Sequence, residues 1–275
     1  MSDPAAEVPS DVLVDTEGPI RRITINRPER RNALSGNVLA LLRDALAEAK
    51  ADPAVRVVVV TGAGDRAFSA GADLIGSSSP AAAPSGDDGP SAGQLHEARG
   101  ELARVFEDFW DLGKPSVARV RGYCLAGGLG LALACDLVVA SDDSIFGTPE
   151  IDIGIWPFMV TVALLRTMTP KRALELMMTG RRLDAAEAER FGIVNRVVRV
   201  DELDAAVDEL AGQLARKPPM AMRAGRESFY TALGMGSREA LRYLHPLLTV
   251  ATLGDEAAEG RAAFAERRPP PWAQP

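Results

Sequence analysis

The chain has little of the chemistry on which many enzymes rely. Its two histidines, His96 and His245, lie far apart with no metal-ligand partner close in sequence, so no histidine-built metal centre is expected. Its two cysteines, Cys124 and Cys135, are eleven apart inside an oily stretch. That spacing fits neither a metal pair nor a redox CxxC, and both read as buried apolar thiols of a cytoplasmic protein. No apolar run approaches the roughly 20 residues of a membrane span. The longest, within 121–136, ends at Asp136 and reads as a buried helix. The opening MSDPAAEVPS has neither a basic start nor an apolar stretch, so residues 1–10 are expected to be a loose tail and not a signal peptide. Lysine is scarce, 4 against 27 arginines, and the net charge is −7 with a pI near 5.1, which disfavours nucleic acid as a partner. There is no GxGxxG after a strand with an acid about 20 residues on. Ser69 sits in no GxSxG elbow.

What is present is enough for one large core: 275 residues, 47% of them hydrophobic. DVLVDTEGPIRRITIN (11–26) predicts two short strands around a Glu-Gly-Pro turn. Ser35 predicts the cap of a helix over 36–50, with Val38, Leu41, Leu42, Ala45 and Leu46 on one face. RVVVVTG is apolar on both faces and predicts a strand inside a sheet. FSAGADL reads as a glycine-rich turn, and 76–93, low in complexity, as a mobile loop. A helix over 94–112, a strand SVARVRG, a helix over the oily stretch and short strands DLVVASD and SIFG follow. After Trp156-Pro157 come short helices, a last strand IVNRVV, and helices from Asp201 onward. The expected fold is α/β: a core over 11–200 of repeated strand-strand-helix units and a helical region over 201–275.

Two turns stand out for chemistry. In 121-RGYCLAGGLGLALACD-136, Gly127 and Gly128 leave bare backbone N–H groups at the start of a helix, where the dipole favours negative charge on an oxygen. The turn 69-SAGAD-73 has the same character, and one amide from each makes a two-donor oxyanion hole. Glycines that merely allow close helix packing explain the same pattern. Glu150 sits among Phe146, Ile151, Ile153, Ile155, Trp156 and Phe158, an apolar neighbourhood that raises a carboxyl pKa and suits a group that takes and returns protons. An exposed loop glutamate is the other reading of the same residues. Trp156 and Phe158 either line an acyl pocket or simply pack, and Met177 and Met178 read as core filling.

VRGYCLAGGLGLALACD followed by FGTPEIDIG resembles the signature of the crotonase family, the enoyl-CoA hydratases and isomerases. NRPERRNAL, AFSAGADL, RALELMMTGRRLDAAEAERFGIVNRVV and EGRAAFAERRPP resemble further family segments in the same order, covering about 11–270. The resemblance implies a spiral of strand-strand-helix turns with a C-terminal helical region that builds homotrimers or homohexamers. It implies an acyl-CoA thioester substrate, with coenzyme A as part of the substrate and no separate cofactor or metal. It places the oxyanion donors at Ala72 and Gly127 and the catalytic carboxyl at Glu150. Substrate contacts are implied at Arg27, Arg31, Ala33, Ala70, Asp73, Leu74, Gly128 and Trp156, and at Phe264 and Arg267 toward a neighbouring subunit's CoA. Arg30 and Arg66 add positive charge near the early loop. At Gly130 the pattern departs: two-acid hydratases carry a glutamate there, and neither Asp136 nor Asp152, which alternates away from Glu150 in an extended segment, replaces it. One remaining carboxylate implies a 3,2-enoyl-CoA isomerase. A hydratase and a non-catalytic CoA-binding subunit are the alternatives.

Overall fold

The Glu-Gly-Pro turn closes a hairpin. β1 (Val12–Glu17) pairs antiparallel with β2 (Ile20–Ile25), and Gly18 turns the chain at φ +54°. The computed structural model describes residues 10–73 and 91–273. Ser35 caps α1 (Gly36–Ala51) by accepting from Val38 N, and α1 buries Val38, Leu42, Ala45 and Leu46. β3 (Val57–Gly62) has no exposed residue. Its alternation is that of a central strand: Val58 and Val60 face the main core, Val57 and Val59 the opposite side.

Three features of the middle of the chain differ from the sequence expectation. The first half of FSAGADL is a strand, β4 (Ala67–Ser69). After α2 (Ala92–Trp110) and β5 (Ser116–Val120), the oily stretch is not one helix. It divides into β6 (Tyr123–Leu125) and α3 (Gly127–Ala134). The reason is pairing: β6 lies between β4 and β8 (Ile145–Gly147), after β7 (Leu137–Ser141), so the backbone of 123–125 is claimed by two neighbours before the helix can start. Glu150 and Asp152 then lie in a 3₁₀ turn, Pro149–Ile153, and not in extended chain. The loop expected over 76–93 falls mostly outside the described residues; Ser91 is already the cap of α2, in a reciprocal pair with Gln94.

α4 (Phe158–Thr167), α5 (Pro170–Thr179), β9 (Arg182–Asp184), α6 (Ala185–Arg190) and β10 (Arg196–Val198) complete the α/β part. β9 went unforeseen because three residues with a single apolar position are too few to show a strand period. The last strand is shorter than IVNRVV, with Ile193 and Val194 buried in the main core instead. One sheet runs β1-β2-β3-β5-β7-β10, parallel except for the hairpin, and a second runs β4-β6-β8-β9.

The C-terminal helices are not alike. α7 (Leu203–Ala215) buries Leu203, Ala206, Val207 and Ala211 on Val57, Val59, Val117 and Val139, so it covers the second face of the large sheet. α8 (Pro219–Ala232), α9 (Ser237–Leu253) and α10 (Asp255–Glu266) follow, and Leu248, Val250, Leu253 and Phe264 on them are exposed. α8 is latched to the core by one buried ion pair. Arg226 donates from Nε to both oxygens of Asp136 at 2.9 and 2.8 Å and from its other nitrogens to the carbonyls of Phe109 and Trp110. Tyr230 Oη and Ser116 also bond Asp136. Asp136 is therefore a structural anchor. No helix among the described residues is long and apolar enough to cross a membrane.

Candidate active site

Two turns meet at the end of the small sheet. Backbone bonds stitch the early loop to the turn after β4: Ala70 N donates to Arg31 O, Leu34 N to Gly71 O and Asp73 N to Leu34 O. The third turn joins through Ala126 N, which donates to Gly147 O, and through the pairing of Leu125 with Gly147. Gly71 sits where these strands crowd. Its φ is +90°, and a Cβ there would meet Ala126 Cβ at 2.6 Å and Gly127 N at 3.1 Å. The SAGAD and LAGG turns are thus in direct contact.

The direction of each turn's amide follows from its own peptide. In a trans peptide the C=O and N–H point in opposite directions. Gly71 O is turned to Leu34, so the N–H of Ala72 is turned away from it. Ala126 O accepts from Gly130 N inside α3, so the N–H of Gly127 is turned out of the helix start. Neither amide donates to another group among the described residues. The peptide between Ala126 and Gly127 is held in place at a cost: Ala126 has φ +54° and ψ −133°, a strained setting for a residue with a Cβ, worth about 1–3 kcal/mol.

The glycines have separate jobs. Gly127 carries the free amide. A Cβ on Gly128 would lie 2.5 Å from Ser69 O and 2.7 Å from Ser69 Cβ, so Gly128 lets α3 settle onto the end of β4. A Cβ on Gly130 would lie 2.5 Å from Phe106 Cζ and 3.3 Å from Val160 Cγ2. The close-packing explanation therefore holds for Gly128 and Gly130.

Glu150 follows Gly147 by three residues, which bounds its Cα to within about 10 Å of that strand end. It is half-buried, and its Oε2 is fully buried with no hydrogen-bond partner among the described residues. Burial pushes the carboxyl above its ordinary range; its own backbone N–H and the charge of Arg182 pull partly the other way. Among the described residues, no other carboxylate contributes to that shift. Asp152, exposed, instead faces Gly180, whose Cβ would fall 2.8 Å from Asp152 Oδ1. Trp156 is half-buried and packs against the main core, whereas Phe158 is exposed.

The structure places the remaining candidates as follows. Arg27 does not present a free guanidinium. It donates to Ala33 O and Asp73 Oδ2, both at 2.9 Å, and so braces the early loop against the SAGAD turn. Ala33 and Asp73 are buried and Ala70 is half-buried in the same seam. Arg30, Arg31 and Arg66 are exposed, and their loops touch where Gly64 approaches Pro28. Leu74 lies outside the described residues. Phe264 is 88% exposed and Arg267 ends α10 at φ +55°; no hydrogen bond or ion pair among the described residues joins either to the site. His96 and His245 are both exposed, and Met178, expected in the core with Met177, is exposed while Met177 is buried. No group of three or more His, Cys, Asp or Glu is placed to hold a metal ion among the described residues.

Asn32 is a residue supporting these turns that sequence reasoning passed over. It is fully buried at φ +54°, a conformation asparagine tolerates. Its Oδ1 accepts from Arg27 N at 3.0 Å, and its Nδ2 donates to Ala63 O at 2.9 Å and Ala67 O at 2.7 Å. It ties the early loop to both ends of the segment leading into β4. Asparagine after a basic pair in NRPERRNAL was the available signal.

The model of the enoyl-CoA hydratase/isomerase family matches residues 15–275. The chain belongs to that family. Enoyl-CoA hydratase/isomerase members act on acyl-CoA thioesters, and this chain is an acyl-CoA enzyme of the family. It is 38% identical over 260 residues to a carnitinyl-CoA dehydratase of Salmonella typhi, covering 93% of this chain and 95% of that relative. Its fold matches an enoyl-CoA hydratase of Mycobacterium smegmatis with a TM-score of 0.87 at 31% identity, over 96% of this chain and 99% of that one. An enoyl-CoA hydratase of Bacillus anthracis matches at 0.86, also with 31% identity, over 94% and 98%.

Proposed function

We propose that the protein is a single-carboxylate acyl-CoA enzyme in which Glu150 moves a proton at C2 of a thioester held by the amides of Ala72 and Gly127, and that its reaction is the isomerisation of 3-enoyl-CoA to 2-enoyl-CoA. Glu150 takes the C2 proton. The electron pair enters the thioester, and its oxygen, now anionic, rests on the two N–H groups. The pair then returns through the carbon chain as Glu150 delivers the proton to C4, so the double bond shifts by one carbon and nothing is added or lost. One acid–base group contributes roughly 10²–10⁴ in rate, and each oxyanion donor roughly 10²–10³. The observation that carries this reading is the buried, unpartnered Oε2 of Glu150 in a site whose second acid position, Gly130, is packed by carbon.

Arg30, Arg31 and Arg66 supply positive charge for the CoA phosphates on an acidic protein. Phe264 and Arg267, on the exposed end of α10, meet the CoA of a neighbouring copy in a cytoplasmic homotrimer or homohexamer.

The second reading is a dehydratase or hydratase. It is favoured by the relatives that carry the name carnitinyl-CoA dehydratase. In it Glu150 removes the C2 proton and passes it to a departing C3 hydroxyl. The two are separated by offering 3-hexenoyl-CoA and crotonyl-CoA. Isomerisation of the first without water uptake by the second supports the isomerase. Gain of one water by crotonyl-CoA at a comparable rate overturns it.

A further inference from the structure

Glycine at 130 is half of a pair. α2 runs along the small-residue face of α3, and its Leu102 and Phe106 lie one turn apart on the same stripe. A Cβ at Gly127 would meet Leu102 Cδ2 at 3.0 Å, and a Cβ at Gly130 would meet Phe106 Cζ at 2.5 Å and Cε2 at 3.2 Å. Leu102 therefore stands over the oxyanion donor and Phe106 over the next turn of the same helix, with Val160 of α4 closing the far side. Phe106 and Val160 are only 3% and 2% exposed.

We propose that Phe106 is a specificity-determining residue: its ring keeps water out of the place beside Gly130 and so limits the site to proton transfer between carbons, with no C3–O bond formed. The inference rests on the single-carboxylate reading above. Hydration of a 2-enoyl thioester forms a C3–O bond from water as the double-bond pair moves into the thioester; the water's proton passes to a base and C2 gains a proton. The water must be held while this happens, and an ordered water needs two to four polar partners. Among the described residues, the atoms nearest a Cβ at Gly130 are an aromatic edge and a valine methyl, and neither offers one. The ring and the missing side chain are also coupled by size. A glutamate at 130 has its first carbon inside the ring's contact distance, so Phe106 must shift before the acid fits.

The test uses the full chain as wild type, Gly130→Glu, Phe106→Ala, the double variant, and Phe106→Leu combined with Gly130→Glu. Two readouts are taken on each: exchange of the C2 protons of butyryl-CoA in deuterated water, and water uptake by crotonyl-CoA. Wild type exchanges C2 and hydrates slowly. Gly130→Glu alone gains no hydration, and the double variant gains roughly 10²-fold or more, the worth of one added acid–base group. Hydration by Gly130→Glu alone equal to the double variant overturns the proposal. So does a double variant that still exchanges C2 and hydrates no faster than wild type. If the alanine variants fail to fold, Phe106→Leu combined with Gly130→Glu decides: hydration above that of Gly130→Glu alone supports the role, and no gain refutes it. A wild type that fails to exchange C2 brings down the proposed function, and this inference with it. A wild type that exchanges and already hydrates rapidly brings down this inference alone.

Discussion

Gly71→Ala puts a methyl group between the two oxyanion turns, and its effect can be worked out before it is measured. The new Cβ would lie 2.6 Å from Ala126 Cβ. Carbon atoms rest at about 3.5–4.0 Å, so Ala126 and the Gly127 amide beside it must retreat by about an ångström. A donor displaced that far no longer meets the thioester oxygen, and loss of one donor costs about 10²–10³ in kcat. The backbone adds its own cost. Gly71 has φ +90°, and an L-residue held in left-handed backbone loses roughly 1–2 kcal/mol, with overpacking adding about 1–3 kcal/mol. A control separates the two effects. Gly18 also has positive φ, +54°, but nothing lies within 4 Å of its built Cβ. Gly18→Ala should lower the melting temperature and leave turnover of 3-hexenoyl-CoA unchanged, while Gly71→Ala lowers both. Steady-state kinetics with thermal unfolding of each variant is the assay. A Gly71→Ala enzyme with kcat within threefold of wild type would refute the placement of the oxyanion donor.

The raised pKa of Glu150 makes a signed prediction. A carboxyl whose folded value lies above its unfolded value favours folding below the unfolded value and loses that contribution as pH rises through the folded one. Glu150→Gln should therefore raise the melting temperature at neutral pH while abolishing turnover, with the advantage vanishing in acid; wild-type activity should fall as pH drops through a value above the usual glutamate range. Asn32→Ala leaves Ala63 O, Ala67 O and Arg27 N without their partner, each worth about 1–3 kcal/mol when buried, so chemical denaturation should show a loss of at least about 2 kcal/mol and KM for acyl-CoA should rise. Arg226→Met strands the charge of Asp136 and should cost about 3–5 kcal/mol; a stability within 1 kcal/mol of wild type by denaturant titration would remove Arg226 as the latch of α8.

The chemistry-bearing backbone was legible because it is local. A glycine run ahead of apolar helix positions marks backbone amides at a helix start, and Gly127 needs only its own neighbours to be read. The raised pKa expected for Glu150 from its oily sequence neighbours is found, and burial is its cause, although Ile153, Ile155 and Phe158 among those neighbours are exposed. What escaped reading depends on chain segments distant from one another. The strand β6 was hidden because 121–136 is uniformly apolar, and only its pairing with β4 and β8 decides that three residues extend before the helix begins. Arg27 looked like a phosphate ligand because nothing near it in sequence shows that Asp73 claims it. Phe106, 24 residues from Gly130, carries no local mark of the glycine it fills.

The central claim is that Glu150 alone moves the C2 proton of a thioester polarised by two amides. Deuterium incorporation at C2 of butyryl-CoA, followed by mass spectrometry in deuterated water, tests it without reference to the final product. The account predicts exchange by the wild-type enzyme and a loss of roughly 10²–10⁴ in its rate in Glu150→Gln, with butyryl-CoA still bound. Exchange by Glu150→Gln at the wild-type rate would contradict it.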